Sequence, residues 1–271
     1  MSQSYWLKTN FDAHLCNLGH VVNTLISLSL IAHNHQTNPI MKSLLTLLTL
    51  LVVGLPLYGQ GAYKAWEFEA KEGGEAAIAK IFDDMFESPD ISYNSGGFVV
   101  TRFDFHGSSP STHRIIVYGD LSSWGYDGRP NPDYEVALAL ERAGSHVERW
   151  TKSETGLILY TGDKDFEEYP YRVIYQMKVS DADLYVEAYT EMMEALEPLR
   201  GDRPAHLGSY NAGITDGETH WAYMGYKSWN DYLTIGAQIR ASEAYEIFSE
   251  KVDGIRTVSK ISTEIRLKEY N

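Results

Sequence analysis

The chain has 271 residues, 37 acidic side chains against 23 basic ones, and one cysteine. A net charge of −14 repels phosphate backbones and anionic lipid, which excludes nucleic acid and charged membrane surfaces as partners. A lone thiol, Cys16, excludes a disulfide framework and Cys-ligated zinc.

In chain order, the first feature is Met41-Lys42-Ser43, which opens an uncharged run rich in leucine and valine over 44–57, broken by Gly54 and Pro56. A membrane span needs about 20 apolar residues. A run of 14 after one lysine, closing near Gly59, instead fits a secretory signal peptide. Residues 41–59 are therefore predicted to be cleaved before Gln60, and residues 1–40 to be a disordered or non-native leader ahead of the true start. The mature chain would lose Cys16, Lys8, Lys42 and Asp12, reach a net charge of −15, and be periplasmic or secreted, in a bacterial cell.

Beyond Gln60 the chain is similar to itself at an offset of 107 residues. Strand residues Trp66, Phe68 and Ala70 alternate and fall on Val173, Tyr175 and Met177, each set defining one buried face. A helix over 74–88 carries Ile78, Ile81, Phe82, Met85 and Phe86 at spacings of three and four. Its counterpart carries Tyr185, Ala188, Tyr189, Met192 and Met193, with Ser180 and Asp181 placed to cap it. A strand over 98–105 is clear, whereas its counterpart over 207–214 is rich in glycine and small polar residues; Phe103-Asp104 falls on Tyr210-Asn211. Thr112-His113 before the strand 115–118 matches Thr219-His220 before 221–226.

A second helix follows in each half, over 133–147 and 241–252, and a last strand, over 155–161 and 257–267. In the latter, Ile261, Thr263, Ile265 and Leu267 alternate with Lys260, Ser262, Glu264 and Arg266, which predicts one face in water. Two connections are polar and irregular: 125–133, with two prolines and two glycines, and the acidic linker 163–170. The predicted organisation is thus a first repeat over 60–162 and a second over 171–271.

The order β-α-β-β-α-β in about 100 residues is the ferredoxin-like unit. Two such units, each with an aromatic-rich first strand and a first helix rich in methionine and aromatics, resemble the dimeric α/β-barrel superfamily, with the antibiotic-biosynthesis-type monooxygenases, stress-responsive barrel proteins and chlorite dismutase-like haem proteins among its members. The resemblance implies an α+β chain whose two units pack sheet to sheet as an intramolecular barrel, burying each other's apolar faces, with small ligands between sheet and helices. A chain that supplies both units is expected to be a monomer.

No motif selects a reaction. The histidines beyond Gln60 are His106, His113, His146, His206 and His220, none within five residues of another, so no zinc spacing is present. No cofactor is predicted. The haem that the resemblance raises would need a proximal histidine opposite an arginine, with His206 and Arg102 or His220 and Arg240 as the pairs to nominate. The aromatic inventory points to a partly wet cavity, because buried tyrosines need partners for their hydroxyls. Tyr175, Tyr189, Tyr210, Asn211 and Tyr223 are its expected lining, with His113 and His220 as paired candidates at the start of equivalent strands. The leading expectation is an exported protein that binds a small hydrophobic or aromatic molecule. The alternatives are a cofactor-free monooxygenase or isomerase, and a structural or stress-related protein with a filled core.

Overall fold

The computed structural model describes residues 61–87, 96–120, 134–162, 167–213 and 216–270. The expected leader (1–40), the expected signal peptide (41–59), the loop 125–133 and part of the linker 163–170 lie outside them.

Eight strands form where the sequence alternates. They are β1 (Gly61–Ala70), β2 (Gly97–Phe105), β3 (His113–Asp120), β4 (Val147–Gly162), β5 (Tyr171–Val179), β6 (Ala205–Ala212), β7 (His220–Tyr226) and β8 (Arg256–Tyr270). All pair antiparallel, and they close into a barrel in the order β1-β3-β2-β8-β5-β7-β6-β4. The glycine-rich β6 is a full barrel strand. The closing strands are longer than their apolar residues suggested, because β4 bonds both β1 and β6, and β8 bonds both β2 and β5.

Helices α1 (Gly74–Glu87), α2 (Tyr134–Gly144), α3 (Ala182–Ala195), α4 (Glu197–Arg200), α5 (Trp229–Arg240) and α6 (Glu243–Lys251) connect the strands. The stripe of α1 buries Ile78, Phe82 and Met85 against Phe68, Phe98, Val100 and Ile115. That of α3 buries Tyr185, Ala188, Tyr189, Met192 and Met193 against Val173, Met177, Leu207 and Met224. Each fully buried large side chain contributes about 1.5–3 kcal/mol. Asp181 caps α3 by accepting from Leu184 N at 3.1 Å. The segment 229–240, to which the sequence pattern assigned no element, is helix α5, capped by Ser228.

The Thr-His pairs pin the ends of β3 and β7. Thr112 Oγ1 accepts from Ala70 N at 2.9 Å and Thr219 Oγ1 from Val179 N at 2.9 Å. Each threonine N–H also donates to the first strand of its half, at Phe68 O and Met177 O. Phe68 thus occupies the place of Met177, two residues beyond the match read from sequence. Because the slip is even, the buried face is unchanged.

The expectation that the two sheets bury apolar faces against each other is overturned. The apolar faces turn outward, under the helices, in two separate cores. The opposite faces, turned into the barrel, carry Glu67, Arg114, Arg172, Gln176 and Glu264, all buried. The supposed wet face of β8 is likewise internal: Glu264 is 0% and Ser262 1% exposed, whereas Ile261 is 52% exposed.

Candidate functional site

Inward-facing residues recur at every second position, so each strand delivers two or three side chains to the barrel interior. A run of ion pairs crosses it. Glu264 Oε2 accepts from Thr101 Oγ1 at 3.0 Å and lies 3.5 Å from Arg114 Nη1, while its Oε1 is 3.0 Å from Arg172 Nη1. Arg114 Nη2 donates to Glu67 Oε1 at 2.7 Å, and Lys152 Nζ lies 2.6 Å from Glu154 Oε2. Burial pushes the Glu67 carboxyl upward, but Arg114 and the hydrogen bonds from His106 and Arg114 outweigh it and hold Glu67 well below the usual carboxylate range.

Beside this network lies a cavity of about 70 Å³. Its aromatic wall is Tyr63, Tyr118, Tyr210, Trp221 and Tyr223, and its polar lining includes Arg114, Arg172 and His206. Two glycines make the wall: a Cβ at Gly208 would stand 2.3 Å from the Trp221 ring, and one at Gly156 would stand 1.7 Å from Ser209 O. Trp221 Nε1 donates to Tyr63 OH at 2.8 Å, which donates onward to Ser209 O at 3.2 Å. The Arg172 guanidinium covers the Tyr223 ring at 4.1 Å.

Two hydroxyls in this wall are incompletely used. Tyr210 OH accepts from Gln176 Nε2 at 2.7 Å, but among the described residues nothing takes its proton, and the Tyr223 hydroxyl has no hydrogen-bond partner there. Burial pushes both phenols up, Tyr223 to about 12, so each remains a neutral donor near pH 7. Burial, then Arg172, pushes His206 down to about 3, leaving its imidazole neutral.

Of the residues nominated from sequence, Tyr210 and Tyr223 meet in this cavity. The others lie elsewhere. Tyr175 and Tyr189 are on the helix side of the wall, where Tyr189 OH donates to His206 O at 3.4 Å. Asn211 is exposed near the end of β6. His113 packs on Phe68 and bonds Glu75 at 3.1 Å, while His220 Nδ1 is 2.8 Å from Thr219 Oγ1 and its ring lies beside Tyr185. This cavity is thus inside the barrel rather than between sheet and helices.

Neither haem pair fits. His206 faces the interior while Arg102 faces α1, 4.0 Å from Glu75, and Arg240 is exposed at the end of α5. Among the described residues no group of three or more His, Cys, Asp or Glu is arranged to hold a metal.

Tyr63, Arg114 and Arg172 were not singled out from sequence. Their signal was present, a lone arginine inside the apolar strands Arg114-Ile115-Ile116-Val117 and Arg172-Val173-Ile174. Such a residue either ends a strand or faces a polar interior.

No family model matches the sequence, and no curated protein matches it. Solved structures do. A candidate monooxygenase from Lactobacillus acidophilus is 14% identical, with a TM-score of 0.55, covering 78% of this chain and 96% of its own. One from Fusobacterium nucleatum is 13% identical, with a TM-score of 0.56, over 79% and 95%. An anthrone oxidase-like protein is 11% identical, with a TM-score of 0.51, over 78% and 92%.

Proposed function

Starting from the dimeric α/β-barrel fold that this chain shares with those structures, we propose that it binds a small, acceptor-bearing, planar or compact molecule inside the barrel. The observation that carries the reading is the pair of tyrosine hydroxyls, Tyr210 and Tyr223, that line the cavity with protons no described residue accepts. A phenol that opens on the cavity without a protein acceptor can donate to a bound oxygen or nitrogen atom.

Size narrows the class. Benzene fills a cavity of about 150 Å³, twice the 70 Å³ found here, so the ligand is at most a single small ring, and a ring needs the wall to yield slightly. The similar monooxygenase and anthrone oxidase-like structures raise oxygenase chemistry, but a three-ring substrate such as an anthrone exceeds this space. With every tyrosine of the wall held neutral, no phenolate base is available there either. Binding is therefore the better-supported role.

The test is calorimetry with phenol, catechol and benzoate against the protein and its Tyr210→Phe/Tyr223→Phe variant. Each lost hydrogen bond should weaken binding by about tenfold. Equal affinity for the variant, or no binding of any member, would refute the reading.

The same proposal includes a tandem duplication, supported by the order β-α-β-β-α-β in each half and by the matching neighbour orders β4-β1-β3-β2 and β8-β5-β7-β6. It includes a monomer, because one chain closes the barrel, and size-exclusion chromatography tests that. It also includes export with cleavage before Gln60, supported by the apolar run 44–57 and tested by N-terminal sequencing of purified protein.

A further inference from the structure

At the end of the barrel marked by Glu67 and Gln176, beyond the cavity, Lys260 projects from β8 opposite Gln176. Its side chain is half-buried, and among the described residues it forms no ion pair; its polar contact is His106 Nε2, at 3.4 Å. That nitrogen is already committed. It lies 3.1 Å from Glu67 Oε2, which also accepts from Ser111 Oγ at 3.1 Å. Glu67 is held ionised by Arg114, so the contact requires a hydrogen on Nε2, and His106 Nδ1 is left as a buried atom with no partner. Phe103, stacked on the imidazole at 3.7 Å, holds this orientation.

Lys260 therefore faces an N–H rather than a lone pair. An ammonium there points protons at a proton, whereas a neutral amine can accept from the same N–H. The surrounding charges are Lys152 and Arg114 on one side and Glu67 and Glu154 on the other, the carboxylates being engaged by Arg114, His106 and Lys152. Burial, the largest cause, pushes the Lys260 amine below its ordinary range.

We propose that Lys260 is a nucleophilic amine that condenses with a small aldehyde or ketone at this end of the barrel. The Nζ lone pair attacks the carbonyl carbon, the carbon–oxygen π pair moves to oxygen, and a proton transfer gives the carbinolamine. Loss of water, as the second nitrogen proton departs, gives the imine, with no change of oxidation state. This site is independent of ligand binding in the cavity, and the failure of either leaves the other standing.

The test is trapping with benzaldehyde, below one equivalent, and sodium cyanoborohydride, which supplies the hydride that converts an imine to a benzylated secondary amine. Peptide mapping of the unaltered chain should find the benzyl group on Lys260 at a clearly higher level than on exposed Lys178 or Lys251, since a depressed pKa raises the free-amine fraction. Lys260→Arg should lose that label while the exposed lysines keep theirs. Labelling spread evenly over exposed lysines, with Lys260 no higher, would overturn the proposal, and because that reading comes from the unmutated protein it does not depend on the variant folding.

Discussion

Replacing Glu264 tests the view that the barrel interior is a dry, charge-compensated network. This carboxylate is fully buried and faces two guanidinium groups, Arg172 at 3.0 Å and Arg114 at 3.5 Å. Glu264→Gln keeps the shape and an acceptor for Thr101 while deleting the charge. Arg114 retains Glu67 at 2.7 Å, but Arg172 has no other carboxylate ion pair among the described residues, so one buried cation is stranded. Removing one partner of a buried pair costs about 3–5 kcal/mol. For a chain of this size that lowers Tm by roughly 6–20 °C. Urea unfolding followed by circular dichroism should show a lower midpoint with an unchanged slope. Adding Arg172→Met in the same chain should restore part of the loss, with a coupling of about 1–3 kcal/mol. A cost below about 1 kcal/mol for Glu264→Gln would refute the argument, since it would mean that water already screens these charges.

Stability should fall on acidification. Burial holds His106, His113, His206 and His220 below the usual histidine value, so the unfolded chain takes up more protons once pH drops below about 6.5, and unfolding becomes easier. Glu67, held low in the fold, adds in the same direction below about pH 4.3. The urea midpoint should be lower at pH 5 than at pH 7.5, and a higher one would contradict this sign. Gly208→Ala should displace the Trp221 ring, cost about 1–3 kcal/mol and shift tryptophan fluorescence; an unchanged spectrum and stability would show that the wall is slack. Asp181→Ala should cost about 1 kcal/mol by unsatisfying Leu184 N, and a change below about 0.3 kcal/mol in thermal unfolding would argue that the cap is dispensable.

Helix stripes were readable without coordinates because their cause is local. Ile78, Phe82 and Met85 share a face whatever they pack against, and the same holds for Tyr185, Ala188 and Met192. The Thr-His pairs were readable as equivalent positions but not as pins, since the bonds run to strands 40 or more residues away. The site divided similarly. Tyr210 and Tyr223 were nominated as aromatic strand residues, whereas Tyr175 and Tyr189, chosen on the same ground, face the helices.

What the sequence alone determined is the order of the eight strands and of four of the six helices, the two faces of each strand, the acidic surface and the lack of thiol chemistry beyond Cys16. Tertiary structure decided which strand face is inside. Period two separates Lys260, Ser262, Glu264 and Arg266 from their apolar neighbours, but only closure of β8 between β2 and β5 encloses them. Pairing between strands distant in the chain is set by the summed packing of helices outside and ion pairs within. No local pattern records that sum, and so the cavity and the amine at the barrel's end emerge only from the closed fold.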